Sequence, residues 1–94
     1  EDMFAAARWA RTLPGTNGRL VAVGFCWGGW VVNQMATRVP ELNAGAPFYG
    51  PGAVSGVDRV RAEMLIVFAE KDDFVNNTWA AYEAALKAAG VKYR

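Results

Sequence analysis

The 94-residue sequence contains no histidine and a single cysteine, Cys26. Histidine is the usual general base near neutral pH. Any acid–base mechanism built from these residues alone therefore lacks its customary member. One cysteine excludes an internal disulfide and is compatible with a reducing cytosol. An excess of one charge is also absent: 10 basic side chains stand against 9 acidic ones, for a net charge of +1. Without a Lys/Arg run or a clustered basic face, a nucleic-acid or polyanion partner is not expected. No apolar stretch approaches the roughly 20 residues that a membrane span requires. The opening Glu1-Asp2 does not resemble the basic start and apolar run of a secretory signal. These absences lead us to expect a cytoplasmic protein without a membrane partner. They leave its oligomeric state open.

Hydrophobic residues make up 53% of the chain, enough to build a core. Residues 2–13 carry apolar side chains at helical spacing (Phe4, Ala7, Trp9, Leu13), with Asp2 as an N-cap or first-turn acid. The turn cluster Pro14-Gly15-Thr16-Asn17-Gly18 follows. The run Arg19–Phe25 is apolar without alternation, which suggests a strand covered on both faces, as in a parallel sheet. A second helix follows Gly28-Gly29 and stops near Val39, because Pro40 disfavours helix in the residue before it. Ala44–Tyr49 reads as a second strand, ended by Gly50-Pro51-Gly52. Residues 53–62 read as a loop with one helical turn before Arg61. Met64–Ala69, rich in β-branched and aromatic side chains, is the strongest strand signal. After the polar loop Glu70–Asn77, a helix is expected over 78–89, with Tyr82, Ala85, Leu86 and Ala89 on its apolar face and Gly90 as its C′ residue. Val91–Arg94 alternates like the start of another strand. The chain thus opens inside a helical pattern and stops at the start of a strand, so we expect 1–94 to be a fragment of one domain. Buried strands alternating with helices point to a parallel α/β sheet, whose functional groups sit at the carboxyl ends of the strands.

At the end of the first strand, Gly24-Phe25-Cys26-Trp27-Gly28-Gly29 has the G-x-nucleophile-x-G spacing of a nucleophile elbow, with Cys in place of Ser. The bend from strand to helix is sharp, so Cys26 is expected near positive φ. Gly24 and Gly28 are expected because a Cβ at either place would crowd the neighbouring strand or helix. The thiol would project at the top of the sheet, where the helix N-terminus favours negative charge. The Trp27 N–H would face the site of a developing oxyanion. The competing reading is a buried structural cysteine. A second candidate lies in Glu70-Lys71-Asp72-Asp73. An acid that orients a histidine belongs at a strand end downstream of the nucleophile, which Asp72 fits and Asp73 fits second. On pattern alone, solvated loop charges or a helix cap are the stronger alternative. Trp9, Trp30 and Trp79 read as packing residues. Trp27, Phe48 and Tyr49 are open to either packing or pocket roles. Asn76 and Asn77 read as turn or cap residues.

The strings GFCWGG, APFYG and AEKDDFV, with the tail WAAYEAALKAAGVKYR, resemble the dienelactone hydrolase family (carboxymethylenebutenolidase-like proteins) over nearly the whole chain. The resemblance implies an α/β-hydrolase fold, present here in part, with a mostly parallel sheet flanked by helices. It further implies a Cys–His–Asp triad that hydrolyses small-molecule esters or lactones without metal or cofactor. Cys26 would match the nucleophile, Asp72 the triad acid, and Trp27 one oxyanion donor. Gly24 and Gly28 would flank the elbow. The histidine has no counterpart and would lie beyond Arg94. The second oxyanion donor and the residues that recognise substrate would lie mostly before Glu1. Two other functions compete: a non-catalytic α/β binding module that lacks the triad histidine, and a redox-sensing thiol. The second is less supported, because no other cysteine is present to resolve a sulfenic acid.

Overall fold

The computed structural model describes residues 1–94. In chain order it comprises helix α1 (Asp2–Ala10), strand β1 (Val21–Phe25), helix α2 (Trp27–Arg38) and strand β2 (Ala44–Phe48). These are followed by a 3-10 turn (Val57–Arg59), strand β3 (Glu63–Met64), and helices α3 (Asp73–Asn76) and α4 (Trp79–Ala88). The strands form a parallel sheet in the order β1-β2-β3. Its register pairs Val21 with Ala44, Phe25 with Phe48, and Gly45 with Met64.

Helix α2 is the central support. Val31, Val32, Met35 and Ala36 form a continuous buried stripe along it, joined by Asn33 and Thr37. It ends where the sequence requires: Val39 turns extended (φ −117°, ψ 90°) ahead of Pro40. In α4, Tyr82 and Leu86 are one turn apart and both buried, which fixes this helix on the same core as α2. The chain leaves α4 through Gly90, whose φ of 70° suits a residue without a Cβ.

The sheet is covered on one face only. Gly24, Gly45, Pro47 and Met64 are buried beneath the helices. On the opposite face Val21, Val23 and Phe25 are 62%, 58% and 56% exposed. The expectation of a strand buried on both faces is therefore corrected. The residues are apolar on both sides, as in parallel strands, but within these 94 residues the helices pack against only one of them.

Further differences concern extent: α2 begins at Trp27 rather than after Gly29, and the expected loop over 70–77 contains the short helix α3. Only Glu63–Met64 is regular strand where Met64–Ala69 was expected. The pairing nevertheless continues: the N–H of Leu65 donates to Gly45 O (2.9 Å) and that of Val67 to Pro47 O (3.1 Å). On the other side Ile66 N–H donates to Arg94 O (2.8 Å), and Met64 bridges Tyr93 in parallel, so the final alternating run does begin another strand pairing. Helix α1 stops at Ala10 rather than Leu13, and only Phe4 of its face is buried. Trp9 and Trp30 are exposed, whereas Trp79 packs edge-on against Phe68, Tyr82 and Tyr93. No helix is long and apolar enough to cross a membrane.

Candidate active site

Cys26 occupies the single residue between the end of β1 and the start of α2, with φ 55° and ψ −119°. Tyr49 (φ 42°) is the only other non-glycine residue at positive φ. Such backbone is costly for an L residue and persists only where its surroundings enforce it. Here they do. The Cys26 N–H donates to Phe48 O on β2 (3.0 Å), and its carbonyl accepts from Trp30 N–H (3.2 Å) and so begins the helix. The thiol is exposed rather than buried in the core. Trp27 supplies the first amide of α2, one of the N–H groups that no helical carbonyl can accept from. Its indole is exposed, with the Trp30 ring at 6.4 Å.

The glycines divide. A Cβ on Gly24 would lie 2.2 Å from the Gly28 carbonyl oxygen, so strand and helix can meet only because Gly24 has none. At Gly28 an added Cβ would meet nothing within 4 Å. The expected crowding at Gly28 is corrected: its backbone is the obstacle that Gly24 must avoid, but its own side faces open space. The close approaches fall instead at Gly29, where a Cβ would lie 2.6 Å from Phe48 O, and at Gly50, where it would lie 2.2 Å from Trp30 N.

Asp72 follows the third strand segment. Because all strands run parallel, it lies beyond the same carboxyl edge of the sheet as Cys26, with β2 between them. Its carboxylate caps α3, Oδ1 accepting from Val75 N–H at 3.2 Å. The helix-cap alternative is thus realised at Asp72, while Asp73 is the exposed first residue of α3. Asn76 ties α3 to the strand end by donating to Ala69 O (3.0 Å). No group of three or more His, Cys, Asp or Glu side chains is placed to hold a metal ion.

One buried residue was not singled out in the sequence, and the hydroxyl of Tyr82, expected only on the apolar face of the last helix, is its partner. Asn33 is fully buried in α2, and its Oδ1 accepts from the Tyr82 hydroxyl at 3.0 Å. The available signal was a polar residue at a core-facing helix position, between Val32 and Met35. Burial pushes the Tyr82 hydroxyl up to about 12.

The model of the dienelactone hydrolase family matches residues 1–94. A carboxymethylenebutenolidase homolog from Mus musculus is 43% identical over 54 residues, which is 56% of this chain and 22% of that protein. Protein usf from Aquifex pyrophilus is 39% identical over 57 residues, 57% of this chain and 25% of that protein. The chain therefore spans no more than a quarter of the length of these curated relatives. Among solved structures, a Klebsiella pneumoniae chain assigned to the dienelactone hydrolases superposes with a TM-score of 0.79 at 30% identity, over 98% of this chain and 43% of that one. A dienelactone hydrolase-like promiscuous phosphotriesterase from metagenomic libraries shares the fold (TM-score 0.83) at 24% identity, over 96% of this chain and 40% of that one.

Proposed function

The chain belongs to the dienelactone hydrolase family, and from that premise we propose that the whole protein hydrolyses ester or lactone bonds of small molecules with Cys26 as its nucleophile. The observation that carries this reading is the backbone of Cys26. An exposed thiol at φ 55°, held on a strand-to-helix bend by a neighbouring strand, is a costly arrangement that a buried structural cysteine does not need.

In the proposed reaction, Cys26 Sγ attacks the carbonyl carbon as a histidine takes the thiol proton. The carbonyl oxygen becomes an oxyanion, and the Trp27 N–H donates to it. Collapse of the adduct expels the alkoxide, which recovers the proton from the histidine. Water then attacks the thioester and releases the acid. Asp72 orients the histidine through the carboxylate oxygen not engaged in capping α3. The histidine lies outside these 94 residues, which contain none. Thiolate suits activated or cyclic esters, because it is both a strong nucleophile and a good leaving group. The reading makes no use of a metal or cofactor and places the protein in the cytoplasm.

A non-catalytic α/β binding module is the second reading. It is favoured by the lack of histidine and by the capping role of Asp72. Hydrolysis of aryl esters and lactones by the whole protein, compared with its Cys26→Ala variant, separates the two. We expect the substitution to abolish activity. Activity that survives it would eliminate Cys26 as the nucleophile, and a wild-type protein inert toward the whole panel would favour the binding module.

A further inference from the structure

The loop that leaves β2 is gripped from two sides. From α2, the Asn33 side-chain amide donates to Pro51 O (2.9 Å) and Gly50 O (3.5 Å). From α4, the Tyr82 hydroxyl donates to Asn33 Oδ1 (3.0 Å), and the Tyr82 ring lies so close to Gly52 that a Cβ there would stand 2.6 Å from it. Thr78, just before α4, accepts from Gly52 N–H through Oγ1 (2.9 Å). The grip reaches the bend directly. Tyr49 sits at φ 42° between Gly50 and Phe48. Phe48 O accepts the Cys26 N–H, and Gly50 abuts the backbone at Trp30, whose N–H bonds the Cys26 carbonyl.

A buried amide that satisfies two loop carbonyls and is itself held by a buried hydroxyl is rigid, because each member left unpaired would carry a desolvation cost. We propose that Asn33 and Tyr82 are positioning residues. Through the Phe48–Gly52 loop they hold Cys26 in its strained backbone, so that the direction of the thiol is decided partly by helix α4, far from it in sequence. The catalytic consequence rests on the reading of Cys26 as nucleophile; the mechanical claim does not.

The experiment is amide hydrogen exchange followed by NMR on the full chain, wild type against Tyr82→Phe. Phe4→Ala, a truncation on α1 in the same core, serves as a control for general destabilisation. Loss of the Tyr82 hydroxyl should speed exchange of the Cys26 and Tyr49 amides about tenfold beyond any change in the Val21–Val23 amides. Phe4→Ala should shift all of these together. Equal acceleration in both variants, or a Cys26 amide unmoved by Tyr82→Phe, overturns the proposal. Should Tyr82→Phe not fold, Thr78→Val removes the acceptor for Gly52 N–H from the same loop, and Thr78→Ser should restore wild-type exchange; failure of that pattern is equally fatal. In the whole protein, ester hydrolysis by Tyr82→Phe should lose kcat with KM unchanged. Normal exchange behaviour with no hydrolysis in the wild type would sink the enzymatic reading and leave the clamp intact.

Discussion

Replacing each of two glycines by alanine, one at a time, tests the geometry of the bend most directly. In Gly24→Ala the new Cβ would stand 2.2 Å from the Gly28 carbonyl oxygen and 2.4 Å from its carbon. A carbon–oxygen contact requires about 3.3 Å, so the start of α2 would have to retreat by about 1 Å. The obstacle is backbone and cannot rotate away, and Cys26 lies within the displaced segment. Overpacking of this kind costs about 1–3 kcal/mol, and the rigid neighbour puts Gly24→Ala at the upper end. The entropy that alanine removes from the unfolded chain offsets only ~0.4–1 kcal/mol of that. In the 94-residue chain taken by itself, a net loss of about 2 kcal/mol lowers the melting temperature by roughly 8–16 °C. Gly28→Ala is the counterpart. Its Cβ meets nothing within 4 Å, and its φ is outside the left-handed region. Alanine inside a helix is better than glycine by about 0.5–1 kcal/mol, so Gly28→Ala should melt a few degrees above wild type. Thermal unfolding followed by circular dichroism measures both. A Gly24→Ala variant that melts with wild type, or a Gly28→Ala variant that falls as far as Gly24→Ala, would refute the account of how strand meets helix.

Three other outcomes follow from the structure. Asp72→Asn should leave stability within a few tenths of a kcal/mol, because Asn caps a helix as well as Asp. In the whole protein, however, it should cut kcat for ester hydrolysis by roughly 10³–10⁴, as expected when a triad acid loses its charge; undiminished turnover would remove Asp72 from the mechanism. The Tyr82 hydroxyl has its folded value raised from 10.0 to about 12, so its contribution is intact below pH 10 and lost as pH climbs through 12. This amounts to about 3 kcal/mol. Denaturant titrations at pH 9 and 12 should show Tyr82→Phe losing less stability over that interval than wild type, and parallel losses would contradict the burial of this hydroxyl. The bare sheet face should make the 94-residue chain self-associate, and Val21→Lys with Val23→Lys should shift sedimentation profiles toward monomer. A wild-type chain that sediments as a clean monomer would argue against an adhesive face.

Much of the architecture was legible because it depends on local chemistry. The apolar stripe and the end of α2 follow from its own residues and Pro40, although the helix begins at Trp27, before the two glycines, and the boundaries of α4 follow from its stripe and Gly90. The nucleophile-elbow spacing marked Cys26 because a sharp bend between strand and helix leaves few residue types to choose from. The glycine at position 28 misled for the same reason: spacing marks where small residues gather, but which of them faces an obstacle depends on atoms brought in by other segments. Gly50 and Gly29 carry that burden because β2 happens to lie alongside the bend. Likewise the role of Asn33 could not be read locally, because its partner Tyr82 lies 49 positions away.

The sequence by itself determined where α1, α2, α4 and the first two strands lie, where the sharp bend falls, and that a lone thiol sits on it. Periodicity, proline and glycine act within a few residues of themselves. Only the tertiary structure decided that Asp72 spends one carboxylate oxygen on capping α3, and that α4 reaches across to the loop beside Cys26. Those outcomes depend on which surfaces meet, and close packing between distant segments is not written in any local pattern.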